Sequence, residues 1–259
     1  MDPTVDPAVD PAVQLIDADL PAPAVGAFLT RAGGVSPAPW SGANLALHTG
    51  DDRDRVQANR DLLARRFGLT YRDLTFAQQV HGAGVRFVAG PTAQGREQGL
   101  PGTDALVTTS PAVGLVMLGA DCPPVLLADP VEGVVGVAHV GRQGLVAGVL
   151  LAVLDVMVEH GATPAGIAAV VGPGACAACY EVPPELADDV ERVVPGSRST
   201  TATGRPAIDL AAGAVGQLRR AGVGAVRTQG GCTIGEPLLW FSYRREGVTG
   251  RHGGLALLR

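Results

Sequence analysis

Lysine is missing altogether from this 259-residue chain, whose 20 basic residues are all arginines. Without a side-chain amine no Schiff base can form and no phosphate loop can carry its usual lysine, so aldolase-like, pyridoxal-dependent and P-loop chemistries are excluded. Basic runs are missing too, and a net charge of −5 at pH 7 argues against a nucleic-acid groove. No apolar stretch reaches the roughly 18 residues of a membrane span, because Gly, Pro and charges interrupt even Ala112 to Leu127. The first basic residue is Arg31, so the positive start of a secretory leader is absent and the expected location is the cytoplasm. Only four cysteines occur, and without an export signal they read as thiols or ligands rather than disulfides. What is present is a 46% hydrophobic composition, enough for the full core of one large domain, and the expected partner is a small molecule.

Three copies of an Asp-Pro-x-Val unit open the chain at Asp2, Asp6 and Asp10. Proline every fourth residue forbids a helix, and the repeat has no hydrophobic face, so residues 1–14 read as a disordered, dispensable tail ahead of a catalytic domain over 15–259. Helical spacing of Val56, Asn59, Arg60 and Leu63 predicts a helix from Arg53 to Phe67, ended by Gly68. Further helices are predicted over Leu145 to His160, Pro184 to Val194 and Leu210 to Ala221. Strands are predicted at Thr75–Gln79, Val85–Ala89, Ala105–Thr108, Gly114–Leu118, Val125–Ala128, Val134–His139, Ile167–Val171, Val226–Gln229 and Leu255–Leu258. Strands occur in runs as well as alternating with helices, and no Gly-x-Gly-x-x-Gly follows a strand, so the expected class is α+β with a mixed sheet rather than a dinucleotide fold.

Two stretches concentrate the chemistry: Ala120-Asp121-Cys122-Pro123-Pro124, and Val137 to Gly144 with His139. Each puts a reactive side chain where an apolar run ends in a Pro- or Gly-rich turn. Gln79-Val80-His81-Gly82 adds a second imidazole, so His81, Cys122 and His139 make the ligand set of a zinc site with an open fourth position. The plain alternatives are a buried cysteine acting as a small hydrophobe and histidines satisfied at strand ends. His48 reads equally well as a ligand or a loop residue. Cys176-Ala177-Ala178-Cys179 has the spacing of half a zinc ribbon, but a partner pair is missing and structural cysteines are the better reading. The closing Phe241 to Arg245 and Thr249-Gly250-Arg251 segments have the composition of an anion-binding patch or, equally, of surface and sheet edge.

Taken in order, these motifs resemble the YfiH family, long labelled multicopper polyphenol oxidase or laccase domain and later described as purine nucleoside phosphorylase. The resemblance runs from about Phe28 to the end. It includes Thr30 to Ser36, Asn44-Leu45, Asn59-Arg60, Gln79 to Gly82, Thr103-Asp104-Ala105, Ala120 to Pro123, His139-Val140-Gly141, Gly172-Pro173, Tyr180-Glu181-Val182, Asp209-Leu210, Cys232-Thr233, Phe241 to Arg245 and Thr249 to Arg251. It implies a single α+β domain, with mixed β-sheets layered with helices, and zinc rather than copper on His81, Cys122 and His139. By the same resemblance, Asp121, Cys122 and Arg31 would be catalytic, and Arg31, Asn44, Gly141 and Arg142 would contact substrate. One departure stands out. The family loop usually reads His-Ala-Gly-Trp-Arg-Gly, whereas Arg142 here takes the place of Trp and Gln143 that of Arg, which removes an aromatic surface beside the metal site and shifts a guanidinium by one position. Cys176 also replaces a usual Gly.

The activity implied is phosphorolysis of purine nucleosides, including methylthioadenosine, together with hydrolytic deamination of adenosine, by a monomer. For deamination a zinc-activated water would attack the purine while Asp121 or another carboxylate moves protons. For phosphorolysis, Arg31 and the turn from Gly141 to Gly144 would hold phosphate. The rivals are a metal-free hydrolase with Cys122 as nucleophile and His139 or His81 as base, and a non-catalytic zinc- or nucleotide-binding protein. A copper oxidase ranks lower, since five scattered histidines without a His-x-His pair suit it poorly.

Overall fold

Side chains on successive strand residues point to opposite faces, and in Val125-Leu126-Leu127-Ala128 this alternation divides two cores. Val125 and Leu127 pack with Val153, Leu154 and Leu218, whereas Leu126 and Ala128 pack with Phe28, Met117 and Ala256. All four are fully buried. A strand apolar on both faces needs a covering layer on each, which explains the continuous hydrophobic runs.

A computed structural model of the chain describes residues 12–259. It begins with β1 (Leu15–Ala18) and β2 (Ala24–Leu29), then α1 (Arg53–Arg66), β3 (Leu74–Phe76), β4 (Val85–Phe87) and α2 (Ala93–Glu97). Next come β5 (Ala105–Thr108), β6 (Gly114–Gly119), β7 (Pro124–Asp129), β8 (Val134–His139), α3 (Arg142–Ala147), α4 (Val149–Glu159) and β9 (Ala168–Val171). The chain closes with α5 (Pro184–Val193), β10 (Arg198–Thr200), β11 (Pro206–Ile208), α6 (Leu210–Arg220), β12 (Ala225–Thr228), α7 (Tyr243–Glu246) and β13 (His252–Leu258).

Two mixed sheets result, one in the order β1-β2-β13-β6-β3 and one in the order β12-β9-β7-β8-β5-β4, with β10-β11 as a separate hairpin. They face each other across Phe28, Met117, Leu126, Val137 and Ala256. Helix α1 covers the outer face of the first sheet through Leu63 and Ala64, and α4 to α6 cover the second. The layers are therefore helix, sheet, sheet, helix, and the α+β expectation holds. No helix among the described residues is long and apolar enough to cross a membrane.

Most predicted elements appear within one or two residues of their expected ends. Two strands and one helix do not: the strand expected at Thr75–Gln79 ends at Phe76, and the one expected from Leu255 begins at His252. The helix expected over Leu145 to His160 starts earlier, at Arg142, and is cut in two by Gly148, whose φ of 84° is left-handed and serves as the end of α3 and the start of α4. The tail boundary also moves. The Asp-Pro repeat through Pro11 lies outside the described residues, but Val13 is buried in the core between the first sheet and α1, and Gln14 exchanges backbone bonds with Thr30 and Ala32. An apolar side chain two residues before β1 fills that core, so the domain begins before residue 15.

Candidate active site

Chain crossings between the sheets build the site. The passage from β6 to β7 carries Asp121 and Cys122, the passage from β3 to β4 carries Gln79 to Gly82, and β8 ends at His139 beside Pro124 of β7. Each crossing turns sharply. Gln79, His81 and Asp121 all have positive φ, at 59°, 62° and 97°, conformations an L-residue adopts only when its surroundings hold it.

What holds them is visible. The Gln79 side-chain amide donates to Leu118 O at 2.8 Å and accepts from Leu118 N at 2.9 Å, extending the pairing of β3 with β6 by one artificial rung. Asp104, fully buried at the start of β5, accepts from the backbone N–H groups of Val80, His81 and Gly82 at 3.2, 2.9 and 2.8 Å. The same carboxylate lies 3.0 Å from His139 Nδ1. Asp121 accepts from Thr233 Oγ1 and from Arg244 N, each at 2.7 Å.

The three expected ligands come together. His81, Cys122 and His139 have ligand atoms within 4.8 Å of one another, and Cys122 Sγ lies 4.0 Å from His81 Nε2. With His139 Nδ1 bound to Asp104, Nε2 is the ring nitrogen left to ligate, an arrangement of imidazole and supporting carboxylate common at metal sites. Two imidazoles and a thiolate suit a borderline divalent ion and leave a fourth position open. Gly141 is the close neighbour that permits this: a Cβ there would lie 2.9 Å from His81 Cδ2 and 3.1 Å from Cys122 Sγ.

Electrostatics within the trio favour charge separation. Burial would raise the Cys122 pKa, but the His139 and His81 rings outweigh it and bring the thiol down to about 6. Burial would lower His139, yet the Cys122 thiolate and the Asp104 carboxylate push it up to about 9. Asp104 sits below the ordinary carboxylate range, since hydrogen bonds from His139 and the Gly82 and His81 backbones overcome its burial.

Beside this trio opens a cleft of about 600 Å³, lined by His81, His139, Gln79, Arg60, Tyr243 and Arg251 among others. His48 also lines it, its pKa held down by burial and by the charges of Arg251 and Arg60. Arg251 donates to Thr249 O and Gly250 O at 3.0 and 2.9 Å.

The other sequence-predicted residues stand differently. Arg31 does not line the cleft: its guanidinium pairs with Glu246 at 2.7 Å and lies 4.6 Å from the Phe241 ring centre. Asn44 is fully buried, its amide donating to Ala46 O, Thr49 and Asp51 while its oxygen accepts from Arg251 N at 2.9 Å. It reaches the cleft only by fixing Arg251. Arg142 opens α3 and directs its charge at Tyr180. Asp104 and Arg251 belong to motifs legible in the sequence, but nothing local ties Asp104 to the turn at Gly82, 22 residues away, or Arg251 to Asn44, 207 residues away.

A two-sheet α+β domain with a His-Cys-His cluster at its sheet crossings is the class this fold and site define. The chain belongs to the family described as multi-copper polyphenol oxidoreductase laccase, whose model matches residues 25–259. A Streptomyces griseus relative named purine nucleoside phosphorylase is 47% identical over 232 residues, covering 90% of this chain and 93% of its own. A Mycobacterium tuberculosis protein of the same name is 44% identical over 226 residues, 87% of this chain and 88% of its own. The crystal structure of a Bacillus licheniformis hypothetical protein, YfiH, superposes with a TM-score of 0.87 at 32% identity, covering 96% of this chain and 97% of that one.

Proposed function

We propose that this chain is a zinc-dependent purine nucleoside phosphorylase working in the cleft beside His81 and His139. The observation that carries the reading is the His81-Cys122-His139 donor trio opening onto a cationic cleft of about 600 Å³, in a chain whose relatives are named for that activity. A zinc ion on these three ligands would supply a Lewis acid at its fourth position. Arg251 and Arg60 give the cleft positive charge for phosphate. Tyr243, exposed at the rim, offers an aromatic face to a purine. Asn44 and Arg31 act as positioning residues, the first by fixing Arg251 and the second by anchoring Glu246 in α7, which also presents Tyr243. Asp121 braces the crossing through Thr233 and Arg244. Methylthioadenosine phosphorolysis and adenosine deamination fall within the same proposal, since they need the same purine pocket. The cytoplasm, where purine nucleosides and phosphate are abundant, is the compartment this reading implies.

A second reading is favoured by one observation, Cys122 Sγ lying 4.0 Å from His81 Nε2 with the His139 donor within 4.8 Å of both, the contact of a cysteine nucleophile with an imidazole base. One experiment separates the two. Cys122→Ser should lose most bound zinc along with phosphate-dependent turnover of inosine and adenosine. A variant with full zinc and no turnover would establish the nucleophile instead, and a wild-type enzyme whose turnover ignores phosphate would overturn the phosphorylase.

A further inference from the structure

The third thiol that Cys176-x-x-Cys179 lacks in the sequence is supplied by the fold. Cys232 follows β12 on a loop that pairs with the segment after β9: Gly174 N donates to Gly231 O at 3.4 Å and Thr233 N to Gly174 O at 3.0 Å. This register brings the sulfurs of Cys176, Cys179 and Cys232 within 4.8 Å of one another. All three are free and partly buried. A turn in which Cys179 N and Tyr180 N both donate to Cys176 O, at 3.0 and 2.9 Å, puts the first two thiols on one side. On the other loop Gly235 N donates to Cys232 Sγ at 3.4 Å, a bond that favours thiolate. Cys176 and Cys232 also line a second cleft, of about 520 Å³, which gives the cluster access to solvent.

Three convergent sulfurs are poorly explained as a disulfide, which would join two and strand the third. They are well explained as soft donors around one cation. Burial and the neighbouring Cys232 push the Cys176 thiol up to about 12, while Cys232, despite burial, is drawn below its ordinary value by the Cys176 thiol and the backbone N–H groups of Gly235 and Ile234.

We propose that Cys176, Cys179 and Cys232 form a second metal centre, taking a thiophilic divalent ion such as zinc, with the fourth position filled by water or a small solvent ligand. On binding, each sulfur still protonated releases its proton to solvent and forms a metal-sulfur bond. The ion would tie together two loops that brace the active site. Ala175, next to Cys176, donates its N–H to Asp121 O at 2.8 Å, and Thr233, next to Cys232, donates to the Asp121 carboxylate at 2.7 Å.

Metal counting on the full chain tests this without reference to activity. Reduced protein is loaded with excess zinc or cobalt, passed through a desalting column and assayed by elemental analysis, with the cobalt form also read by its sulfur-to-metal charge-transfer absorption. Wild type should retain about two ions per chain, and Cys176→Ser and Cys179→Ser about one each, with loss of most charge-transfer intensity. Cys122→Ser should also retain about one, but keep that intensity. Circular dichroism identifies any variant that has unfolded, and Cys232→Ala then replaces it. A wild type that holds one ion, lost in Cys122→Ser and kept in Cys176→Ser, would overturn the proposal. So would a disulfide among these cysteines that, once reduced, leaves the chain unable to take up a second ion.

Discussion

Asp104 binds the backbone and the side chain of the candidate ligands at once. One carboxylate takes three backbone N–H groups from the His81 turn and the Nδ1 side of His139, so it sets the path of one ligand loop and the orientation of another ligand at once. Asp104→Asn keeps the volume but turns one acceptor into a donor facing N–H groups. The expected result is a loss of about 10- to 100-fold in metal affinity, measured by competition with a chelator, with the fold retained by circular dichroism. Unchanged affinity would mean that Asp104 serves only to hold the turn. Asn44 shows the opposite case. A polar residue in a recognisable motif looks like a substrate contact until its burial and its bonds to Ala46, Thr49, Asp51 and Arg251 are seen.

At the scale of elements, the break between α3 and α4 is the informative one. Apolar periodicity continues through Gly148, so pattern alone joins the two helices, while the left-handed glycine redirects the second onto the sheet. No atom lies within 4 Å of the position a Cβ would take there, so backbone strain should dominate the cost of Gly148→Ala. That strain is about 1–2 kcal/mol. Thermal melting should register it as a fall of about 2–4 °C per kcal/mol. A melt matching wild type would show that the junction relaxes into one continuous helix. The edge strand β1 supplies a second test. Val13 enters the core just ahead of it, so Val13→Ala should cost about 1–2 kcal/mol, and a deletion through Val13 at least as much. Coincident melts would return residues 12–14 to the tail.

At the scale of the whole molecule, the cleft and the His-Cys-His trio are complete within one chain. The expected species in light scattering is a monomer of 26.3 kDa. A dimer mass at working concentration would direct attention to the exposed Leu238 and Val248 beside the closing segment. The two-sheet architecture also explains why the donor residues lie where they do. Cys122 and His81 sit on chain segments that leave one sheet and enter the other, and such crossings converge at the same end of the sandwich.

Much of this was determined by sequence alone. Doubly apolar runs such as Val134 to His139 require burial on both faces, and the exposed-to-buried rhythm of Arg53 to Arg66 requires a helix, because both follow from the local geometry of the backbone. The residue types His, Cys and His at turn positions, with the surrounding motifs, were enough to name the trio and the family. Short edge elements were not legible: β1, the β10-β11 hairpin and the helices α2 and α7 have too few residues for a period to show. Nor were the contacts that give residues their parts. Asp104 reaching His139, Asn44 fixing Arg251, Glu246 holding Arg31 away from the cleft and Cys232 joining Cys176 and Cys179 all depend on the order of strands in the two sheets. Sequence patterns record which face of an element is apolar, whereas only the packed sheets decide which distant side chains meet.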